Sequence, residues 1–381
     1  MSKPAILQIV PSLNTGGAER TTIDIAEALT AAGFAALVAS EGGRMETELT
    51  AKGGELIRLP MDEKLPHKLI ANARRLQNLI GERDVKLVHA RSRAPAWSAL
   101  WAARSAGVPF VTTYHGIYNA ANPLKRFYNS VMKRGDAVIA NSEWTAAHIK
   151  HEYKTLPKRL VVIPRGIDLS RFDLAGVPPS KIAELRVRWG ASENDFIATL
   201  PGRLTRWKGQ TLLIDAAAEL ANKNLPHKLL VVFAGDAQGR DAYEAELTKL
   251  IAKTGLADIA RIVGHVDDMA TAYAASDVVV SASTEPEAFG RVAAEASAMG
   301  RPIIAADHGG ARETVLNNVS GALFEPGNTS ALANAIERLM KAPAETLASM
   351  GRAGRMHIVN NYSLERMCSE TLALYRELIA R

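Results

Sequence analysis

Glu287 and Glu295 stand eight residues apart in SASTEPEAFGRVAAEASAMG, the stretch from Ser281 to Gly300. A carboxylate accepts two hydroxyls of a sugar ring well, because vicinal OH donors match its two oxygens. Eight residues make a little over two helical turns, so a helix starting near Phe289 or Gly290 would carry one carboxylate at its mouth and the other on its inner flank. The N–H groups of that helix mouth suit an anion. Two carboxylates beside an anion-binding helix end suggest a sugar-phosphate ligand. The alternative keeps Glu287 as a first-turn acid favoured by the helix dipole and Glu295 as a solvated surface residue.

Three further groups could do chemistry. In PGRLTRWKG, Arg203 and Lys208 lie five residues apart in a Gly-bounded loop, a spacing that suits a diphosphate: Arg grips oxygens in a fork and Lys adds a point charge. Two solvated loop charges are the competing reading. His115 in TTYHGIY ends an apolar run just before Gly116, which leaves either a cleft-lining imidazole or a satisfied structural histidine. Gly16 and Gly17 permit close backbone approach to a ligand, or only a tight turn. No Gly-x-Gly-x-x-Gly follows a strand, and the chain holds no Walker loop, no Gly-x-Ser-x-Gly elbow and no Asp-x-Asp pair. The last of these argues against a metal-bridged diphosphate site.

Elements must place these residues at one edge. Ala5 to Pro11 reads as a buried strand, followed by a helix over Ala18 to Ala32. Further strands read at Ala35 to Ser40, Glu55 to Leu59, Lys86 to His89, Pro109 to Tyr114, Ala137 to Ala140 and Leu160 to Ile163, with helical patterns between most of them. Such alternation predicts an α/β fold with a parallel sheet covered on both faces. The text then changes, with adjacent prolines Pro178 and Pro179 and no strong apolar run, which places the domain connection here. A second series reads at Phe196 to Leu200, Lys228 to Ala234, Ala260 to Val263, Asp277 to Ala282, Pro302 to Ala306 and Gly321 to Phe324. The expectation is two Rossmann-like halves, residues 1–168 and 169–362. In open sheets of this kind, ligands bind at the carboxyl edge of the strands.

Size and composition agree. At 381 residues the chain exceeds what one core usually fills. With 47% apolar and 23% charged residues it reads as an ordinary soluble globular protein. Its one cysteine, Cys368, excludes an internal disulfide framework and a Cys-based zinc site. The apolar run near the N-terminus is shorter than a signal-peptide core, and no run of about 18 apolar residues occurs, so a cytoplasmic setting is expected. Residues 1–168 carry 23 Lys and Arg against 15 Asp and Glu, while the remainder carries 23 against 25. The basic charge belongs to the first half, which points to an anionic partner there.

GGAER, the HG after a strand, NSEWT at Asn141 to Thr145, IPRGID, GRLTRWKG, FAGD and the EPEAFGRVAAEASAMGRPIIAADHGGARE block together resemble family 4 of the retaining glycosyltransferases, nearly along the whole length and in the family's order. The resemblance implies the GT-B fold, two Rossmann-like domains facing across a cleft, with the nucleotide-sugar held mainly by the second, the acceptor by the first, and a last helix, 363–381, crossing back to the first. It implies that Glu287 contacts hydroxyls of the transferred sugar and Glu295 the ribose. It assigns Arg203 and Lys208 to the diphosphate, His115 to the neighbourhood of the reacting carbon, and Gly16 and Gly17 to packing near the phosphates. Backbone at Phe289 and Gly290 would meet phosphate and sugar, and the base would lie near Gly264, His265 and Val266. Two departures each add an arginine: Arg291 where many members have Leu, and Arg165 where many have Pro-Asn-Gly.

The expected activity is metal-independent, retaining transfer of a hexose, with mannose from GDP-mannose preferred. The acceptor is expected to be a glycolipid or lipopolysaccharide core, and no cofactor is expected beyond the donor substrate. The alternatives are a sugar-nucleotide epimerase on the same scaffold and a basic nucleic-acid-binding protein. The latter fits poorly, since the excess charge is small and no basic-aromatic cluster occurs. Asn122 to Arg134, NPLKRFYNSVMKR, is expected to form an amphipathic helix with Leu124, Phe127, Tyr128 and Val131 as its apolar stripe, either docking on the inner face of an anionic membrane or packing on the sheet.

Overall fold

The protein is described from a computed structural model, over residues 3–14, 16–116, 118, 122–153 and 155–381. It divides into two compact units, Met1–Gly166 with Leu364–Arg381, and Ile167–Ser363. The division falls just before the one read from the sequence. Ile167 is the reason: it is buried in the core of the second unit and its N–H donates to the Tyr362 carbonyl at 2.8 Å.

The first unit holds a seven-stranded, all-parallel sheet in the order β3-β2-β1-β4-β5-β6-β7. The strands are β1 (Ala5–Ile9), β2 (Ala35–Ser40), β3 (Gly54–Arg58), β4 (Val85–Ala90), β5 (Phe110–Tyr114), β6 (Ala137–Ala140) and β7 (Leu160–Val162). The second unit holds a six-stranded, all-parallel sheet in the order β10-β9-β8-β11-β12-β13. Its strands are β8 (Phe196–Pro201), β9 (Leu229–Ala234), β10 (Ala260–Gly264), β11 (Val278–Ser281), β12 (Ile303–Ala306) and β13 (Gly321–Phe324). Every run read as a strand is one.

Continuous apolar strands require cover on both faces, and both sheets have it. In the first unit one face packs Leu7, Leu37, Val88 and Phe110 against Leu76 and Trp97. The other face packs Ile6, Val38, Leu87 and Val111 against Ile23, Ile25 and Leu29 of the helix Gly17–Ala31, and against Leu372, Leu374, Tyr375 and Leu378 of the helix Leu364–Ile379. The last helix therefore completes the first unit's core although 197 residues of the second unit intervene in sequence. In the second unit Ala198, Val231, Val280 and Ile304 face Leu213, Leu247 and Ile336, and Val279, Ile303 and Ala305 face Phe289, Ala293 and Ile358. Parallel strands put every carboxyl end on one edge. Strand order reverses between β1 and β4 and again between β8 and β11, and these switch points open the crevices where loops can hold a ligand.

Among the described residues no helix is long and apolar enough to cross a membrane. The segment read as one amphipathic helix is a helix Pro123–Asn129, capped by the Asn122 side chain, that tightens into a 3-10 turn Ser130–Lys133. The expected stripe splits. Leu124 is 82% and Phe127 61% exposed, whereas Val131 and Met132 are fully buried in the sheet-covering core. A 3-10 turn advances fewer residues per turn than an α-helix, so residues after Asn129 rotate out of the stripe and into the interior.

Candidate functional site

The second unit gathers its chemistry from the loops after β8, β10, β11 and β12. The loop after β8 is held against the end of β11: the Thr284 N–H donates to the Trp207 carbonyl at 2.7 Å. Gly209, at φ +77°, presses so closely on Ala282 that a Cβ there would overlap its backbone. This brings Lys208 to Glu287. Lys208 Nζ donates to Glu287 Oε1 at 2.8 Å, the Ser283 hydroxyl donates to the same oxygen at 2.5 Å, and the two charged side chains are only 13% and 15% exposed. Burial is the largest influence on Glu287 and pushes its carboxyl up, but the Lys208 charge and the hydrogen bonds from Lys208 and Ser283 outweigh it and leave the group below its ordinary value. Glu287 is held ionised.

Beyond this pair the chain turns through Phe289, buried against Tyr362, and Gly290, at φ +80°, into the helix Arg291–Ala298. Gly290 is the N-cap and supplies no side-chain acceptor for the first N–H groups. The helix mouth thus stays open to an anion. Gly309 and Gly310, after β12, lie flat on Glu287 and Phe289, and the Gly310 N–H donates to the Glu287 carbonyl at 2.8 Å. His308 Nε2 meets the Ser283 carbonyl at 2.7 Å. These residues brace the turn; in the sequence they stood inside the resembling block with no role given, although the pair Gly309-Gly310 shortly after a strand was a usable signal for close backbone approach.

Glu295 is not a solvated flank residue. It is 8% exposed, with Oε1 taking a 2.6 Å bond from Arg291 Nη2 and Oε2 a 2.9 Å bond from the Tyr273 hydroxyl. The i, i+4 arginine that departs from the resembled family therefore engages the very carboxylate assigned to the ribose. Arg203 projects into solvent from the same loop as Lys208, and among the described residues no carboxylate pairs with it. Gly264 ends β10 at φ +71°, and His265 and Val266 line a cavity of about 750 Å³ together with Trp189, Ile262 and Val263; Gly264 itself does not line it.

In the first unit, His115 follows β5 and Gly16–Gly17 follow β1. Arg165, after β7, joins them: its Nη2 donates to His115 Nδ1 at 3.0 Å and to the His115 carbonyl at 3.3 Å, and its guanidinium occupies the space that a Cβ on Gly17 would need. Gly17 opens the helix Gly17–Ala31, with Gly16 as an N-cap that has no side chain to offer. His115 is held well below the usual histidine range by burial first, then by the positive charges of Arg165 and Arg91 and by His89. It is a neutral imidazole.

The sequence profile described as "Glycosyl transferases group 1" matches residues 181–357, and that described as "Glycosyltransferase Family 4" matches residues 15–171. A D-inositol 3-phosphate glycosyltransferase of Catenulispora acidiphila is 31% identical over 313 residues, which cover 78% of this chain and 73% of that protein. One from Segniliparus rotundus is 31% identical over 284 residues, covering 71% of this chain and 61% of its own length, so the matched stretch is shorter than such relatives. A crystal structure of a glycosyltransferase from Rickettsia africae superimposes with a TM-score of 0.90 at 34% identity, covering 100% of this chain and 99% of that one. The Anabaena protein HepE, solved in complex with UDP and glucose, gives 0.86 at 26% identity over 98% and 100% of the two chains. Two Rossmann-like units with the loop chemistry on their carboxyl edges, matched along the chain by both profiles, place this protein in glycosyltransferase family 4, with the GT-B fold.

Proposed function

We propose that the protein is a retaining, metal-independent hexosyltransferase that takes its sugar from a nucleoside diphosphate and passes it to a hydroxyl of an anionic acceptor. The observation that carries this reading is the cluster of Lys208, Glu287 and Ser283 at the open mouth of the helix Arg291–Ala298. The diphosphate lies at the helix mouth, met by Arg203 and Lys208 and by the backbone at Phe289 and Gly290; Glu287, held ionised, receives hydroxyls of the sugar. As the glycosidic bond breaks, negative charge builds on the departing diphosphate, and these cations and N–H groups stabilise it without a metal. The acceptor attacks from the face the diphosphate leaves, and a leaving oxygen takes the acceptor proton. The configuration is retained, and no second carboxylate nucleophile is required.

His265 and Val266 flank the base. The Anabaena relative's bound UDP and glucose favour a uridine donor, whereas the sequence reading favours GDP-mannose; a melting-temperature screen of UDP-, GDP- and ADP-sugars decides, since a ligand of the folded state alone raises the melting point. No rise with any of them would overturn the donor assignment. Activity is expected to survive excess EDTA, and loss that Mg²⁺ or Mn²⁺ restores would contradict metal independence.

The acceptor is assigned to the first unit. A phosphorylated polyol, as in the names of the curated relatives, and a glycolipid headgroup share an anionic, hydroxyl-bearing character that the basic first half favours. For a lipid-borne acceptor, the exposed Leu124 and Phe127 dock at an anionic membrane surface on the cytoplasmic side. Trp101, 41% exposed, belongs to the same aromatic group, in which Trp97 stacks on Phe127 and Arg134 lies over both rings. Sedimentation with anionic vesicles at low salt tests this, with L124S/F127S expected to weaken binding; a wild type that ignores the vesicles removes the membrane from the proposal.

A further inference from the structure

His115 has one ring nitrogen bonded and one not. Nδ1 faces Arg165 Nη2 at 3.0 Å. A guanidinium has donors only, so Nδ1 must accept, and the proton of a neutral imidazole then sits on Nε2. Nε2 is sealed from solvent and meets no hydrogen-bond partner among the described residues. A buried donor left unsatisfied is costly, and it is the group a hydroxyl oxygen of a ligand would complete.

We propose that Arg165 is a positioning residue: by donating to His115 Nδ1 and to the His115 carbonyl it fixes the imidazole as the Nε2–H tautomer, a neutral hydrogen-bond donor with its proton-bearing nitrogen free for substrate. The proposal rests on the functional reading above only for what the substrate is. The tautomer follows from the protein alone.

Several features of the first unit agree. Arg165 spans three loops, since it follows β7, contacts His115 after β5 and lies over Gly17 after β1, so the imidazole is fixed relative to the first crevice of the sheet. Only a glycine at 17 leaves room for that guanidinium. Arg91, 2% exposed after β4, adds a second permanent charge whose Nη2 finds no acceptor among the described residues; its Nε donates to Gln8 at 2.8 Å. The groups acting on His115 are Arg165, Arg91 and His89, with the Tyr118 hydroxyl at its backbone. His89 is itself buried and neutral, bonded to Tyr375 and Thr113. Among the described residues two guanidiniums and no carboxylate act on the ring, so protonation is opposed and the donor stays neutral. Arg165 is one of the two arginines by which the chain departs from the pattern it resembles. Its Nη2 donates to a ring nitrogen and a carbonyl at once from a permanently charged group, and that charge is what an asparagine cannot supply.

The test uses the full-length protein with ¹⁵N-labelled histidine and reads Nδ1 and Nε2 shifts of His115, identified by its loss in H115A, from pH 5 to 8. Wild type is expected to show a single neutral Nε2–H form throughout. R165M, which keeps bulk and removes donor and charge, is expected to admit the Nδ1–H form or to protonate at a higher pH than wild type, and to lose about tenfold in kcat through a slackened ring while the donor KM stays within about threefold. Its kcat profile should acquire an acidic limb that wild type lacks. R165K, which restores a charged donor, should recover the single tautomer in part. An Nδ1–H or protonated His115 in folded wild type, or an R165M protein with unchanged histidine shifts and pH profile, overturns the proposal. If H115A transfers sugar as fast as wild type, it is the role of His115 in transfer that fails, and the shifts still decide what Arg165 does. Matching far-UV dichroism and melting points for the variants show that folding is intact; if R165M does not fold, R165L, which likewise removes both donor and charge, carries the same readout.

Discussion

The two units present opposite electrostatic designs at equivalent edges of similar sheets. In the second, opposite charges are packed together: Lys208, Glu287 and Ser283 form a closed cluster, and Arg291, Glu295 and Tyr273 form another one helical step away. In the first, His115 and His89 are kept neutral near Arg91 and Arg165, and among the described residues no carboxylate is bonded to either imidazole. On the proposed function the second site takes a diphosphate, which brings its own negative charge, and of the two cations offered to it Lys208 is already positioned by Glu287. A hydroxyl brings no charge, and a neutral donor suits it because no ion has to be desolvated when it binds.

The largest effect that could break this contrast lies in the second unit. Lys208→Ala, and separately Arg203→Ala, should lower transfer by about 10² or more with melting points close to wild type for Arg203→Ala, in line with removal of one charge-stabilising donor. Near-normal rates in both would move the diphosphate elsewhere. Next comes the pair itself. Glu287→Gln leaves Lys208 partly buried without its counter-charge and should cost about 1–3 kcal/mol of stability. The double change with Lys208→Met should restore part of that loss, and additive losses would show that the two charges are not coupled.

Acid should separate the units more gently. His89 and His115 have folded values depressed below the ordinary histidine value, so the unfolded chain binds protons first as pH falls. Their stabilising contribution is intact above about pH 6.5 and lost below it, by up to about 1.4 kcal/mol per pH unit for each imidazole. Glu287 is also depressed, but from a carboxylate value, so its contribution persists down to about pH 4.5 and is lost only below that. Segment-resolved hydrogen exchange between pH 7 and 5 should therefore show the first unit loosening while the second holds. Equal loosening would contradict the assignment of neutral histidines to one side. The smallest expected effect is on Gly17→Ala, whose Cβ competes with the Arg165 guanidinium: a modest stability change, with the His115 shifts moved toward those of R165M.

How much of this was legible differs along the chain for physical reasons. The central strands, such as β1, β5, β8, β9 and β11, were readable because parallel strands buried on both faces are near-continuous apolar runs. Glu287, Lys208 and His115 were readable as residues, but only the fold shows that Lys208 reaches Glu287 across 79 positions. Ser283, Tyr273 and Arg91 carried no local signal, since their role depends on partners distant in sequence. The fate of Glu295 was hidden because the i, i+4 spacing to Arg291 is visible, yet its burial under Tyr273 is not. Leu124 and Val131 read as one stripe because periodicity assumes an α-helix, and the 3-10 turn after Asn129 breaks that assumption.

The most direct measurement is hydrogen exchange with and without saturating nucleoside diphosphate. Slowed exchange is predicted in three segments of the second unit, the loop holding Arg203 and Lys208, the loop holding His265 and Val266, and the turn from Ser283 to the start of the helix Arg291–Ala298, with the segment around His115 unchanged. Protection centred on the first unit, or none in those three segments at a concentration that saturates binding, would contradict the assignment of donor chemistry to the charged cluster.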